Sequence, residues 1–175
     1  WPAVRYVELS AAGKAQPKDV IHLRQVEAID SNGVNQALAA NGGTAWQASC
    51  HMDGRGADKL IDGEFESSNH TAHGKDSTTR ITLKHPTDVY ELVIHNARWS
   101  EKWQSSERIA GSVVRLLDDN KFVVWSHTFS KAVDPGLFQA DDPEPSSFSE
   151  RFTAPPLWPA VRYVELSAAG KAQPK

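Results

Sequence analysis

One cysteine, Cys50, is all that the 175 residues contain, so no disulfide can form within the chain. That leaves the compartment open, because a domain of this size does not need one. Long apolar runs are missing too, and none approaches the roughly 18 residues that a membrane helix requires. Charge of one sign is not in excess: 19 basic residues face 22 acidic ones, a net of −3. No chain-wide field therefore draws nucleic acid or an anionic membrane. Catalytic signatures are absent as well. There is no H-E-x-x-H, no G-x-S-x-G and no phosphate loop, and Cys50 in "WQASCHMDG" has no partner at a recognisable spacing. Scattered carboxylates make a glycosidase pair only if folding brings two of them together. The expectation is a protein that is not an enzyme.

What the chain has instead is a repetition. The 18 residues "WPAVRYVELSAAGKAQPK" begin at Trp1 and return, letter for letter, at Trp158. A match of that length is not chance, so the two copies share an origin and residues 1–157 make up one period. One period is the size of a single domain with one core. Residues 158–175 then begin the next repeat, or supply a strand that completes this domain or a neighbouring one. The junction "RFTAPPLWPAVRYVELS" carries no tag-like or Gly/Ser scar, which favours tandem repeats over an artificial duplication.

Within the period the strongest local signals are strands. In "DVYELVIHN" Tyr90, Leu92 and Ile94 fall on one face and Glu91, Val93 and His95 on the other, the pattern of a half-buried strand. "SVVRLLDDNKFVVWSHTF" places two β-rich runs around Asp118, Asp119 and Asn120 and predicts a hairpin. "RYVELS", "VIHLRQVEAI", "RITLK" and "FSERFT" are further strand candidates, "ADKLI" is a single helical turn, and "DDPEPSS" is an acidic, proline-rich surface loop. Short strands separated by turn residues, with no long helical period, indicate an all-β sandwich or barrel.

Three stretches carry candidate binding chemistry. In "LIDGEFESSNH" Asp62, Glu64 and a hydroxyl from Ser67 or Ser68 are hard oxygens of the kind calcium takes, with loop carbonyls completing the shell; a polar surface turn would use the same residues. "NHTAHG" offers His70 and His73 as hydrogen-bonding groups for sugar hydroxyls, or as a solvated loop. "HNARWSEKWQSSER" sets Arg98, Trp99, Lys102, Trp103 and Arg108 in a loop between two strands. Aromatic faces beside planar guanidinium groups suit a saccharide, whose C–H faces stack on rings while its hydroxyls accept from arginine. The alternative use of those tryptophans is packing between successive repeats.

Taken together, "VRYVELSAAGKAQPKDVIHLRQVEAIDSNGVNQALAANGG", "ADKLIDG", "VYELVIHN" and "ERIAGSVVRLLDDNKFVVW" resemble the discoidin or coagulation-factor C-domain superfamily, and within it the fucose-binding F-type lectins. The resemblance covers nearly the whole period. It implies an antiparallel jelly-roll β-sandwich of about eight strands, like galactose-binding domains, with ligand held by loops at one end. It also implies that His70, Arg98 and Arg108 take the places of the histidine and two arginines that grip fucose. Asp62 and Glu64 fall where an Asp and an Asn help to hold Ca2+, with Gln25 where a glutamate often stands. The expectation is an extracellular or cell-surface carbohydrate-binding repeat. Its partners would be glycans and neighbouring repeats joined head to tail, with neither nucleic acid nor membrane insertion. The second expectation is a structural repeat of a long fibre or adhesin in which the sugar site is vestigial.

Overall fold

The computed structural model describes residues 1–16, 18–97, 105–129 and 149–154. The acidic stretch from Asp141 to Ser147 and the trailing copy, residues 158–175, lie outside them. Eight strands are present among the described residues: β1 (Val4–Ser10), β2 (Leu23–Asp30), β3 (Thr44–Gln47), β4 (Thr79–Thr87), β5 (Val89–Asn96), β6 (Val113–Leu117), β7 (Val123–Thr128) and β8 (Ser149–Thr153). They form two antiparallel sheets, one in the order β3-β4-β1-β6-β7 and the other in the order β2-β5-β8. The chain is an all-β sandwich. No helix among the described residues is long and apolar enough to cross a membrane.

Alternation along each strand builds the core between the two sheets. Val7 and Leu9 of β1, Ile81 and Leu83 of β4, and Val114 and Leu116 of β6 point inward from the larger sheet. They meet Leu23, Val26 and Ala28 of β2 and Leu92 and Ile94 of β5, all fully buried. Residues two apart share a face of the pleat, and this is why one apolar residue in two suffices. The leading copy of the repeated segment lies at the centre of this arrangement, since β1 pairs with β4 on one side and with β6 on the other. Its polar residues follow the opposite phase: Glu8 faces Arg80 at 2.6 Å and Arg115 at 3.7 Å.

The expected hairpin is formed by β6 and β7. Its turn closes with the Asp118 N–H donating to the Phe122 carbonyl at 3.0 Å and the Phe122 N–H donating to Asp118 Oδ1 at 2.8 Å. Strand β5 departs from the half-buried expectation, because Val93 and His95 are buried along with Leu92 and Ile94. It is the middle strand of its sheet, and a loop folds across the sheet's outer face, bringing the Phe65 ring edge-on to His95 at 4.8 Å. "ADKLI" forms a 3-10 turn over Ala57–Leu60 at the start of that loop.

Candidate functional site

Residues 68–71 are threaded between two other segments. The Asn69 N–H donates to the Leu23 carbonyl at 3.0 Å and the Thr71 N–H to the Ile21 carbonyl at 3.0 Å. Their side chains return the bonds: Asn69 Oδ1 accepts from the Leu23 N–H and Thr71 Oγ1 from the Ile21 N–H, each at 2.9 Å. On the other side the His70 N–H donates to the Arg55 carbonyl, and the His70 carbonyl accepts from the His51 N–H. His70 therefore projects from a backbone held on both flanks, with His22 and His51 brought to either side of its ring. Ring centroids lie 4.5 Å apart for His22 and His70 and 4.6 Å for His51 and His70. His73 follows at 5.5 Å from His70 and 5.8 Å from His51.

Arg108 reaches this group from the 3-10 turn Ser105–Ile109. Its Nη1 lies 2.6 Å from His70 Nε2 and 3.4 Å from His22 Nδ1. These contacts assign the tautomers. His70 Nδ1 sits 2.6 Å from the Thr71 carbonyl, which can only accept, so Nδ1 carries the hydrogen and Nε2 accepts from Arg108. Likewise His22 Nδ1 accepts from Arg108, and its Nε2 faces Ser68 Oγ at 3.3 Å. Ser68 Oγ also accepts from the Arg55 guanidinium. Burial lowers the pKa of His22 to about 2, with the His70, Arg108 and Arg55 charges adding to the effect. Burial likewise pushes His70 down to about 4, against the favourable bond to Thr71 and with the help of Arg108. Both rings are neutral at pH 7, which is what lets a charged guanidinium sit against them.

Charge is positioned around this core as well. Burial works against the Asp19 carboxylate, yet His73 at 2.9 Å and the Gly74 N–H at 2.6 Å hold its pKa below the usual range. Lys14 donates to the Arg108 carbonyl and, at 2.9 Å, to Ser112 Oγ, and burial brings its pKa down to about 8. Lys18 pairs with Glu107 at 2.8 Å. The leading copy of the repeat thus supports the turn that carries Arg108.

Of the residues expected from sequence, His70, His73 and Arg108 are brought together. Arg98, Trp99 and Trp103 lie outside the described residues. His22, His51, Arg55 and Asp19 were not anticipated. Each looks ordinary in its own stretch of sequence, and only the threading of residues 68–71 between two distant segments makes them neighbours.

The expected calcium oxygens also meet, around a different centre. Gln25 Nε2 is 2.5 Å from Asp62 Oδ1, 3.1 Å from the Lys59 carbonyl and 3.2 Å from the Glu64 carbonyl. Ser67 Oγ lies 2.8 Å from Asp62 Oδ2, and the Glu64 N–H donates to Asp62 Oδ1 at 2.9 Å. Glu64 takes part through its backbone, not its carboxylate. In this arrangement these oxygens accept from amide and hydroxyl hydrogens. Among the described residues no group of three or more His, Cys, Asp or Glu side chains is placed to hold a metal ion. No family model, no curated protein and no solved structure matches the chain.

Proposed function

We propose that the domain is a non-enzymatic saccharide-binding module, read as a discoidin-like jelly roll closest to the F-type lectins. The observation that carries this reading is the convergence of Arg108 with neutral His70 and His22, bordered by His51, His73 and Arg55. Such a cluster presents several N–H donors from groups that burial holds in fixed orientations. A sugar hydroxyl can accept from a guanidinium N–H, and Arg108 and Arg55 are the donors this cluster offers it. The exposed His51 ring adds an aromatic face on which sugar C–H groups can stack. Arg98, Trp99 and Trp103 belong to the same reading, as the first arginine of the motif and its aromatic companions. An extracellular or cell-surface location with glycan partners accompanies it.

Calcium has no step in this reading, because the amide of Gln25 supplies the hydrogens that close the Asp62 loop. A glycan array followed by calorimetry tests the function. The expected result is weak binding of fucosylated or related glycans, in the millimolar to micromolar range, or roughly −4 to −8 kcal/mol. The reading fails if no glycan binds and Arg108→Ala matches the parent chain on every probe.

A second reading, a structural repeat of a head-to-tail fibre or adhesin, is favoured by one specific observation. The repeated segment is the central strand of the larger sheet and not a peripheral decoration.

A further inference from the structure

Strand β1 needs two neighbours. It takes β4 on one side and β6 on the other, with Val7 set between Ile81 and Leu116 and fully buried. Residues 161–167 repeat the β1 sequence, so every side chain this place selects is also present at the far end of the chain. Removing residues 1–18 and keeping residues 158–175 leaves the same 157 residues in circularly permuted order.

Permutation requires the two ends of the period to come together, and the described residues nearest them, Ala154 and Trp1, lie against adjacent residues of β5. The Ala154 N–H donates to the Tyr90 carbonyl at 2.7 Å. The Trp1 nitrogen donates to the carbonyl of the adjacent residue, Val89, at 2.8 Å, and the Val89 N–H returns a bond to the Trp1 carbonyl at 2.9 Å. Strand β8 runs antiparallel to β5, and its last described neighbour, Ala154, lies against Tyr90, next to Val89, where Trp1 sits. Successive carbonyl oxygens of a strand are at most about 5.5 Å apart, which puts the Ala154 and Trp1 nitrogens within about 11 Å of each other. The four residues from Ala154 to the Trp158 nitrogen span about 12 Å even at the polyproline rise that Pro155 and Pro156 favour. At Trp158 the donor to Val89 would be an ordinary peptide N–H.

We propose that residues 158–175 are a second occupant of the β1 place, able to replace residues 1–18 within the same domain. Val161, Val164 and Leu166 then enter the core where Val4, Val7 and Leu9 now lie. Lys171 takes the place of Lys14 on the Arg108 carbonyl and Ser112. The displaced leading copy leaves at Asp19, beside the exposed Gly74, and becomes an unpaired strand of the kind that adds to another molecule's sheet. The exchange keeps the same contacts and swaps only the end that makes them, so the two closures are closely balanced. This inference rests on the repeat and on the geometry of the two ends, independently of the saccharide reading.

The test uses the full chain carrying Val7→Asp, Val164→Asp, or both. An aspartate in the middle of the core leaves an unpaired buried charge and bars that copy from the place. Each single variant should melt cooperatively within about 5 °C of the parent as a monomer, while the double variant loses its cooperative transition. Limited proteolysis of Val7→Asp should release residues 1–18 and spare residues 158–175. The proposal is overturned if Val7→Asp unfolds as completely as the double variant, if it melts normally only as a dimer, or if protease still removes residues 158–175. None of these measurements involves a sugar, so they stand whether or not glycans bind.

Discussion

Arg108 donates from Nη1 to His70 Nε2 across 2.6 Å, joining two residues 38 positions apart. The bond requires a neutral His70 whose hydrogen is on Nδ1, and the Thr71 carbonyl enforces that tautomer.

Replacing either partner should therefore harm binding more than folding. His70→Ala and Arg108→Lys are each expected to weaken glycan binding roughly 10- to 150-fold, the range for a hydrogen bond involving a charged group. Arg108→Lys keeps the charge but removes the planar guanidinium whose Nη1 meets both imidazoles. Calorimetric titration alongside thermal melts separates the two effects. A variant that melts like the parent and binds like the parent contradicts the assigned role.

Stability should fall as the solution is acidified below about pH 6.5. The unfolded chain binds protons at His22 and His70 near 6.5, whereas the folded chain resists them down to about 2 and about 4. Between pH 6.5 and 4 the unfolded state thus holds more protons, so stability present above 6.5 is lost as pH falls. The slope is up to about 1.4 kcal/mol per pH unit for each ring. Melting temperatures across this window check the sign, and His22→Phe should flatten the curve.

At Asp62 the substitution to make is Gln25→Glu. It exchanges the amide that donates to Asp62 Oδ1 and to the Lys59 and Glu64 carbonyls for a carboxylate that cannot. The variant should melt below the parent in chelator and recover when millimolar calcium is added, since an ion that binds only the folded state stabilises it by mass action. The parent should melt alike under both conditions. A parent chain that loses several degrees in chelator would show that the loop does hold an ion.

Gly43→Ala should be severely destabilising, by about 2 kcal/mol or more. A Cβ at Gly43 would lie 2.0 Å from the Ala37 carbonyl oxygen and 2.6 Å from its carbon, and a backbone neighbour cannot rotate away. Gly33→Ala meets no neighbouring atom and serves as the control, its cost confined to a left-handed φ of 78°. Denaturant melts of the pair measure the difference.

Alternation made most of the sandwich legible in advance. "RYVELS", "RITLK", "DVYELVIHN" and the two runs around Asp118 all became strands because each sets apolar side chains two residues apart. Strand β3, "TAWQ", carries no such signal: none of its four residues is fully buried and Trp46 is exposed. It exists because β4 offers it a partner at the sheet edge. The outward face of β5 was misread for a related reason. Val93 and His95 belong to the polar phase of the strand, yet both are buried, His95 beneath the Phe65 ring of a distant loop.

The candidate site divides in the same way. His70, Arg108 and the Asp62 loop stood out because residue type and local spacing are properties of a short stretch of chain. Their partners did not, because His22, His51 and Arg55 become relevant only through contacts made across 15 to 86 positions, as between His70 and Arg55 or Arg108 and His22. The sequence by itself determined the strand phases, the repeat and the chemical kinds of side chain on offer. Tertiary structure decided which of those side chains meet, which of them burial keeps neutral, and that an amide closes the Asp62 loop. It also set Ala154 and Trp1 against adjacent residues of one strand. Alternation is a local property, set by the two-residue period of the backbone, whereas proximity and desolvation depend on how distant segments pack and exist only once they have done so.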